Sequence, residues 1–289
     1  MVLIMLLRLI LIAALTLNAA CTQRAAVGGV TVLATTTILA DMAAHVAGDS
    51  AKVESIAPAG AEVEQYEPKP DDAKRAAEAR VILVNGLDLD KWVEPLLRNA
   101  RKDATVVTLA DGLPAIEENP HMWFDVQLAR KYVEKIRDAL IAADPSGRDG
   151  YLARAKAYDE ELAKLDVELK QKVATLPQER RKLVTSHDAF PYFARAYGFE
   201  IVGFAQPEAG KDPSPAELAE LIGKIKAAKV PAIFSEAGVS PRLAETLARE
   251  AGVTKIVTDL PTDSVLDKPA DSYTGVMRTI VDKVVAALK

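Results

Sequence analysis

The chain has 289 residues and a formal net charge of -5, and 49% of its residues are hydrophobic while 27% are charged. This length is enough for two domains of ordinary size, and the composition is that of a globular protein rather than a disordered or fibrous one. Because no cluster of Lys and Arg is present to neutralise phosphates, the sequence excludes tight nucleic-acid binding.

The N-terminal segment differs from the rest of the chain. Residues 1–20 are almost wholly apolar, Arg8 is their only charge, and Cys21, the only cysteine, follows directly. An apolar run of this length that ends in small residues is typical of a secretory signal peptide. We therefore predict a signal peptide over residues 1–20, lipidation of Cys21 and a tether over residues 21–29, which implies a periplasmic or cell-surface protein. The alternatives are an uncleaved membrane anchor and cleavage without lipidation.

Short β-branched runs alternate with amphipathic stretches over the remainder. Most of the runs are continuously apolar, which favours strands buried on both faces of a parallel sheet. Strands are predicted, in two sets of four, at 30–35, 52–57, 81–85 and 104–109, then at 182–186, 200–204, 232–235 and 255–258. Helices are predicted between them at 36–47, 71–79, 90–99, 126–142, 214–228, 240–250 and 271–288. This alternation predicts an α/β protein with parallel sheets.

One long helical pattern separates the two sets of strands. It covers about residues 149–174, and its apolar residues recur every three or four positions as one stripe: Tyr151, Ala155, Tyr158, Leu162, Leu165, Leu169 and Val173. A helix of that length spans about 39 Å at 1.5 Å per residue. We therefore predict an N-terminal lobe at 30–148, a rigid linking helix at 149–176 and a C-terminal lobe at 177–289. The alternative is an ordinary surface helix of one large domain.

The sequence contains no GxGxxG turn, Walker A loop or GxSxG elbow, so a nucleotide-dependent or acyl-transfer enzyme is not indicated. It contains three histidines. His45 falls in the last turn of the first helix, where we expect a structural role. His121 follows the fourth strand, and His187 lies at the carboxyl end of the fifth, the edge at which open α/β sheets bind ligands. Asp125 and Asp188, near them in sequence, are candidates for fixing the imidazole tautomers.

Two carboxylates occupy matching places. Glu64 follows the second strand and Asp263 follows the eighth. Each half of the chain thus offers one imidazole and one carboxylate, and all four can meet in the cleft between the lobes. Such a set suits Mn²⁺, Fe²⁺ or Zn²⁺, whereas the lack of thiolates disfavours Cu(I).

With these residues placed, the sequence resembles the metal-binding proteins of zinc and manganese ABC transporters, of the periplasmic or surface lipoprotein type. The resemblance covers about residues 30–289. The segments that carry it are TTTILADM at 35–42, PAGA at 58–61, YEP at 66–68, NGLDLDKW at 85–92, PHMWFD at 120–125, TSHDAFPYF at 185–193, DPSP at 212–215, IFSE at 233–236 and TDS at 262–264.

The resemblance implies two α/β lobes joined by a rigid helix, with the metal between them. It assigns the second, third and fourth metal ligands to His121, His187 and Asp263. The first ligand in the family is usually a histidine in Asp-Pro-His, and here Glu64 takes its place, with Glu62 or Glu67 as alternatives if the loop register shifts. This departure leaves both Mn²⁺ and Zn²⁺ open, with Fe²⁺ also compatible.

The predicted function is therefore capture of a divalent transition metal and its delivery to the membrane permease of an ABC importer, without catalysis, by a protein that acts as a monomer. Ordinary imidazoles predict weaker binding below about pH 6. Two other functions stay open: a metal-dependent hydrolase with Glu64 as the base, and a surface adhesin lipoprotein with an incidental metal site.

Overall fold

The computed structural model describes residues 30–206, 210–237 and 240–289, so the predicted signal peptide, Cys21 and the tether lie outside the described residues. The first half contains one parallel four-stranded sheet in the order β2-β1-β3-β4. Its strands are β1 (Val30–Ala34), β2 (Ala51–Ser55), β3 (Val81–Val84) and β4 (Thr105–Thr108). Its helices are α1 (Thr37–Ala47), α2 (Pro70–Glu78), α3 (Glu94–Leu97) and α4 (Val126–Ala143). All four residues of β3 are buried, as its continuous apolar run predicts.

The second half contains two parallel pairs, β5-β6 and β7-β8, with β5 lying next to β7. The strands are β5 (Lys182–Thr185), β6 (Glu200–Phe204), β7 (Ala232–Glu236) and β8 (Lys255–Leu260). The helices are α6 (Pro191–Tyr197), α7 (Pro215–Ala228), α8 (Arg242–Ala251) and α9 (Tyr273–Leu288). Unlike the first sheet, both pairs contain an irregularity, after Leu183 in β5 and after Phe234 in β7.

The long helix between the two halves is α5, Arg148–Val173, which has 26 residues. Every member of its predicted apolar stripe is buried. Lys170 contacts Asp166 one turn away at 2.7 Å, and Glu168 contacts Arg278 of α9 at 3.1 Å. The prediction of two parallel-sheet α/β lobes and one long helix is confirmed, whereas the boundaries of the lobes as independent domains stay a prediction.

Two local predictions were incomplete. The helix predicted at 90–99 is a 3₁₀ turn, Lys91–Val93, followed by the short α3. Pro95 explains the late start of the α-helix, because a proline ring clashes with the carbonyl four residues earlier and is tolerated only in the first turn of an α-helix. The seven-residue α6, Pro191–Tyr197, was not predicted, since it is too short to show a helical period.

One hydrophobic core joins the two halves. It includes Leu39 of α1, Tyr132 of α4, Leu162 of α5, Phe193 of α6 and Met277 of α9. A second, smaller core lies among β5, β6, β7, α7 and α8. Among the helices of the described ranges, none combines the length and apolar character that crossing a bilayer requires. The shared core fixes the two strand systems against each other, and the candidate site lies where their loops meet.

Candidate metal centre

His121 lies in the loop between β4 and α4 and is 1% exposed. Asn119 holds this residue twice, since its Oδ1 lies 3.0 Å from the His121 backbone nitrogen and 3.1 Å from the ring Nδ1. Four residues on, the Asp125 carboxylate accepts a hydrogen bond from the Gln127 backbone at 2.9 Å and so caps α4. The loop thereby points Nε2 of His121 away from Asn119 and into the space between the two halves.

His187 follows β5 and is 6% exposed. Its Nδ1 lies 2.7 Å from Oε1 of Glu236, the last residue of the neighbouring strand β7. The other carboxylate oxygen of Glu236 accepts a hydrogen bond from Thr262 Oγ1 at 3.0 Å. Glu236 therefore connects His187 to the loop that carries Asp263.

The structure brings the four predicted side chains together. Nε2 of His121 lies 3.2 Å from Nε2 of His187, 3.6 Å from Oε1 of Glu64 and 3.8 Å from Oδ1 of Asp263. Two nitrogens bound to one ion at about 2.1 Å would lie about 3.0 Å apart at a right angle and about 3.4 Å apart at the tetrahedral angle. The separation between the imidazoles falls within this range, so both can face one cation.

Among the described residues, two groups of side chains have the geometry to hold a metal ion: Glu64, His121 and His187, and also His187, Glu236 and Asp263. The groups share His187, so the potential ligands form one connected cluster. Glu62 lies at its edge, where it lines a small polar cavity together with Glu236 and Asp263.

Burial and neighbouring charges shift the pKa values of the side chains in this cluster. Burial raises the pKa of Asp263 to about 8; Glu236, Glu64 and Glu62 add to this rise, and the charge of His187 opposes it. Burial lowers the pKa of His187, but the hydrogen bond and charge of Glu236 outweigh this effect, and its pKa rises to about 10.

His121 behaves in the opposite way, because burial and the charge of His187 lower its pKa well below the usual range. In the absence of a cation, a charged His187 faces a neutral His121, and its Nε2–H can donate to Nε2 of His121. A metal ion must displace that proton.

One carboxylate oxygen of the cluster is evidence for a cation site between His121 and Asp263. Oδ1 of Asp263 is buried and, within the described part of the chain, has no hydrogen-bond partner. A buried oxygen without a partner costs free energy, and a bound cation supplies one. Since this oxygen faces Nε2 of His121, the donor set fits a divalent metal.

Some predicted partners have other roles. The carboxylate bonded to His187 is Glu236 rather than Asp188, and the group bonded to the His121 ring is Asn119 rather than Asp125, which contacts Arg195 at 3.2 Å. The sequence offered only a weak signal for Glu236, its place in the IFSE segment of the resemblance.

The third histidine, His45, lies outside the cluster. It falls in the last turn of α1, as predicted. Its ring stacks on Tyr158 with centroids 4.2 Å apart, and its Nδ1 contacts the Asp41 carbonyl oxygen at 2.9 Å. The stacking joins α1 to α5, the Asp41 contact lies within α1, and both agree with the predicted structural role.

Comparisons with known proteins find relatives that match most of the chain. The chain is 35% identical over 268 residues to the manganese-binding lipoprotein MntA of Halalkalibacterium halodurans, covering 90% of this chain and 89% of that one. It is 33% identical over 270 residues to the iron ABC transporter substrate-binding lipoprotein MtsA of Streptococcus pyogenes, covering 88% and 87% of the two chains.

Solved structures of metal-binding proteins also match most of the chain. The periplasmic zinc-binding protein TroA of Treponema pallidum superposes with a TM-score of 0.83 at 30% identity, covering 90% of this chain and 99% of that chain. The Mn-bound periplasmic metal-binding protein of Candidatus Liberibacter asiaticus gives a TM-score of 0.82 at 29% identity, with coverages of 90% and 100%. The family ZnuA, described as zinc-uptake complex component A periplasmic, matches residues 32–287. The chain therefore belongs to the ZnuA family.

Proposed function

We propose that this chain is an extracytoplasmic solute-binding protein that captures a divalent transition metal ion, Mn²⁺ or Zn²⁺ with Fe²⁺ also compatible, and delivers it to an ABC importer. The observation that carries the proposal is the 3.2 Å approach of Nε2 of His121 to Nε2 of His187, with carboxylate oxygens of Glu64 and Asp263 close by. The relatives, which include manganese, iron and zinc proteins, support the same substrate class.

The proposed ligands are Glu64, His121, His187 and Asp263. Two imidazoles and two carboxylates match the preferences of Mn²⁺, Fe²⁺ and Zn²⁺. Ligation by four side chains leaves little room for the reactive water that a catalytic metal site requires. We therefore propose capture rather than catalysis, with the ion as cargo.

The proposed partners follow from this function. A substrate-binding component must deliver its ion to a membrane permease, and a lipid on Cys21 would keep the protein beside that permease. We propose that the mature protein is exported, anchored through Cys21 and monomeric. Its binding cleft would then face the permease without involving a second copy.

Release requires the ligands to separate. The loop that carries Asp263 is hydrogen-bonded to the first half of the chain, from Trp123 Nε1 to the Thr262 carbonyl oxygen at 3.2 Å and from the Gly60 backbone to Ser264 Oγ at 3.1 Å. We therefore propose that Asp263 moves with Glu64 and His121, and that release breaks the Thr262–Glu236 hydrogen bond as it withdraws His187 from them. The shared core predicts that this movement is small.

The test is metal analysis of protein purified without added metal, followed by competition between Mn²⁺ and Zn²⁺. The proposal predicts one transition-metal ion per chain, and loss of uptake of that metal in a strain that lacks the protein. Substoichiometric metal with unchanged uptake would contradict it and favour the adhesin. Metal-dependent turnover of a chromogenic ester or phosphate would contradict it and favour the hydrolase.

A further inference from the structure

Asn119 has an orientation that its backbone partners fix. Its Oδ1 lies 3.0 Å from the backbone nitrogen of His121, which can only donate, and its Nδ2 lies 2.5 Å from the carbonyl oxygen of Asp188, which can only accept. A flipped amide would face donor with donor and acceptor with acceptor. The oxygen of Asn119 therefore faces His121.

This orientation determines the tautomer of His121. The same Oδ1 lies 3.1 Å from the ring Nδ1, and an amide oxygen has no proton to give. The ring nitrogen must therefore donate, which places the proton of the neutral imidazole on Nδ1. Nε2 then has its lone pair free, directed towards His187 and Glu64.

Asn119 also joins the loops that carry the two imidazoles. Asp188, whose carbonyl oxygen accepts from the amide, directly follows His187. On the other side, Tyr192 Oη donates to the Asn119 carbonyl oxygen at 2.8 Å and accepts from the Ile116 backbone at 3.0 Å. Asn119 is 8% exposed, so water does not compete freely for these bonds. One amide thus links the His121 loop to the residue after His187.

We propose that Asn119 is a positioning residue for metal capture: it keeps the Nε2 lone pair of His121 available and holds the two imidazoles at the spacing that one ion needs. The effect of Asn119 on metal affinity rests on the proposed function, whereas its effect on the His121 tautomer does not. Partners of a ligating imidazole typically change metal affinity by about tenfold to a hundredfold.

The first experiment uses the unaltered protein without metal. Long-range ¹H–¹⁵N correlation spectra distinguish protonated from unprotonated ring nitrogens, and the chain has only three histidines to assign. The proposal predicts that the neutral His121 ring is protonated on Nδ1 and not on Nε2. A proton on Nε2 would overturn it, and this result requires no variant to fold.

The second experiment compares Zn²⁺ affinity among variants. Asn119→Leu removes both amide atoms at similar size, and we expect a loss of about tenfold to a hundredfold with a mixture of His121 tautomers. Asn119→Asp keeps an oxygen for the ring but loses the donor to the Asp188 carbonyl oxygen, so we expect the Nδ1 proton to remain and Zn²⁺ affinity still to fall, by less than in Asn119→Leu. If Asn119→Leu does not fold, Asn119→Asp and the unaltered protein decide the question.

The matched control is Asn85→Leu. Asn85 is a buried amide whose Nδ2 donates to the Pro120 carbonyl oxygen at 3.0 Å, in the same loop, and it has no bond to an imidazole. We expect its Zn²⁺ affinity to stay within about threefold of the unaltered protein. Equal losses in Asn85→Leu and Asn119→Leu, with an unchanged tautomer, would overturn the positioning role. If the unaltered protein bound no metal, the proposed function would fail, and the tautomer would still be measurable.

Discussion

His121 and His187 lie 3.2 Å apart, but their second ring nitrogens have partners of different charge. Nδ1 of His121 contacts the neutral amide of Asn119, whereas Nδ1 of His187 contacts the carboxylate of Glu236. Both rings are buried, yet burial keeps the first neutral, while the carboxylate overcomes burial and keeps a proton on the second. One imidazole is thus ready to bind a metal, and the other must first lose a proton.

This difference means that metal capture is an exchange of cations. The carboxylates of Glu236 and Asp263 surround a site that is positively charged at His187 when no metal is bound. In the proposed site, a divalent ion would replace that proton and supply a partner for the buried oxygen of Asp263.

The largest expected effect is the pH dependence of affinity. The raised pKa of His187, about 10, means that binding releases at least one proton throughout the neutral range. Raising the pH removes this proton and, because the pKa of Asp263 is raised to about 8, also the proton of the Asp263 carboxyl group, so affinity should increase by at least about tenfold per pH unit, or at least about a hundredfold from pH 6 to pH 8. Competition titrations at several pH values, with calorimetry in buffers of different ionisation enthalpy, measure both quantities. An affinity that is constant above pH 6.5, as ordinary imidazoles would give, contradicts the exchange.

Replacing Glu236 by Gln should have the next largest effect. The carboxylate makes the His187 imidazole a more basic metal ligand and places negative charge beside the ion, and an amide does neither. We therefore expect Mn²⁺ and Zn²⁺ affinity at pH 8 to fall about tenfold to a hundredfold, even though the competing proton on His187 is also bound more weakly. The pH dependence should also become shallower, because the pKa of His187 falls.

The matched control is Asp90→Asn. Asp90 is also a buried carboxylate, and it accepts hydrogen bonds from the Asn85 and Gly86 backbone, away from both imidazoles. We expect this control to lower thermal stability while keeping the pH dependence. If Glu236→Gln left both the metal affinity and its pH dependence unchanged, Glu236 would not be what keeps a proton on His187.

The smallest expected effect is that of Glu64→Ala. The Glu64 side chain is 31% exposed, so water can replace it as a ligand, and we expect a loss of about tenfold in affinity. Glu62→Ala and Glu67→Ala are the matched controls in the same loop. A larger loss of affinity in either control than in Glu64→Ala would assign the first ligand to that control residue. Unchanged affinity in Glu64→Ala would remove Glu64 from the site.

The sequence predicted the order of strands and helices because the apolar periods of β3 and α5 are strong and local. It also predicted which four side chains meet, since each follows a strand whose carboxyl end faces the cleft. The prediction was incomplete at Lys91–Val93, because Pro95 restricts the α-helix that the composition favours to a start at Glu94.

The partners of the imidazoles could not be predicted in the same way. Proximity in sequence favours Asp125 and Asp188, whereas Glu236 is 49 residues from His187 and reaches it because β5 lies next to β7. Strand adjacency depends on packing across the whole lobe, which no single sequence pattern records. Asn119 is near in sequence to His121, but nothing in a lone amide indicates that it faces a ring.

The most direct test of the site is a crystal structure of the Mn²⁺-loaded protein with anomalous scattering data. The account predicts one strong anomalous peak between the two halves, within about 2.4 Å of Nε2 of His121, Nε2 of His187, and a carboxylate oxygen of both Glu64 and Asp263. A peak that lies elsewhere, or one that contacts only one of the two imidazoles, would contradict it.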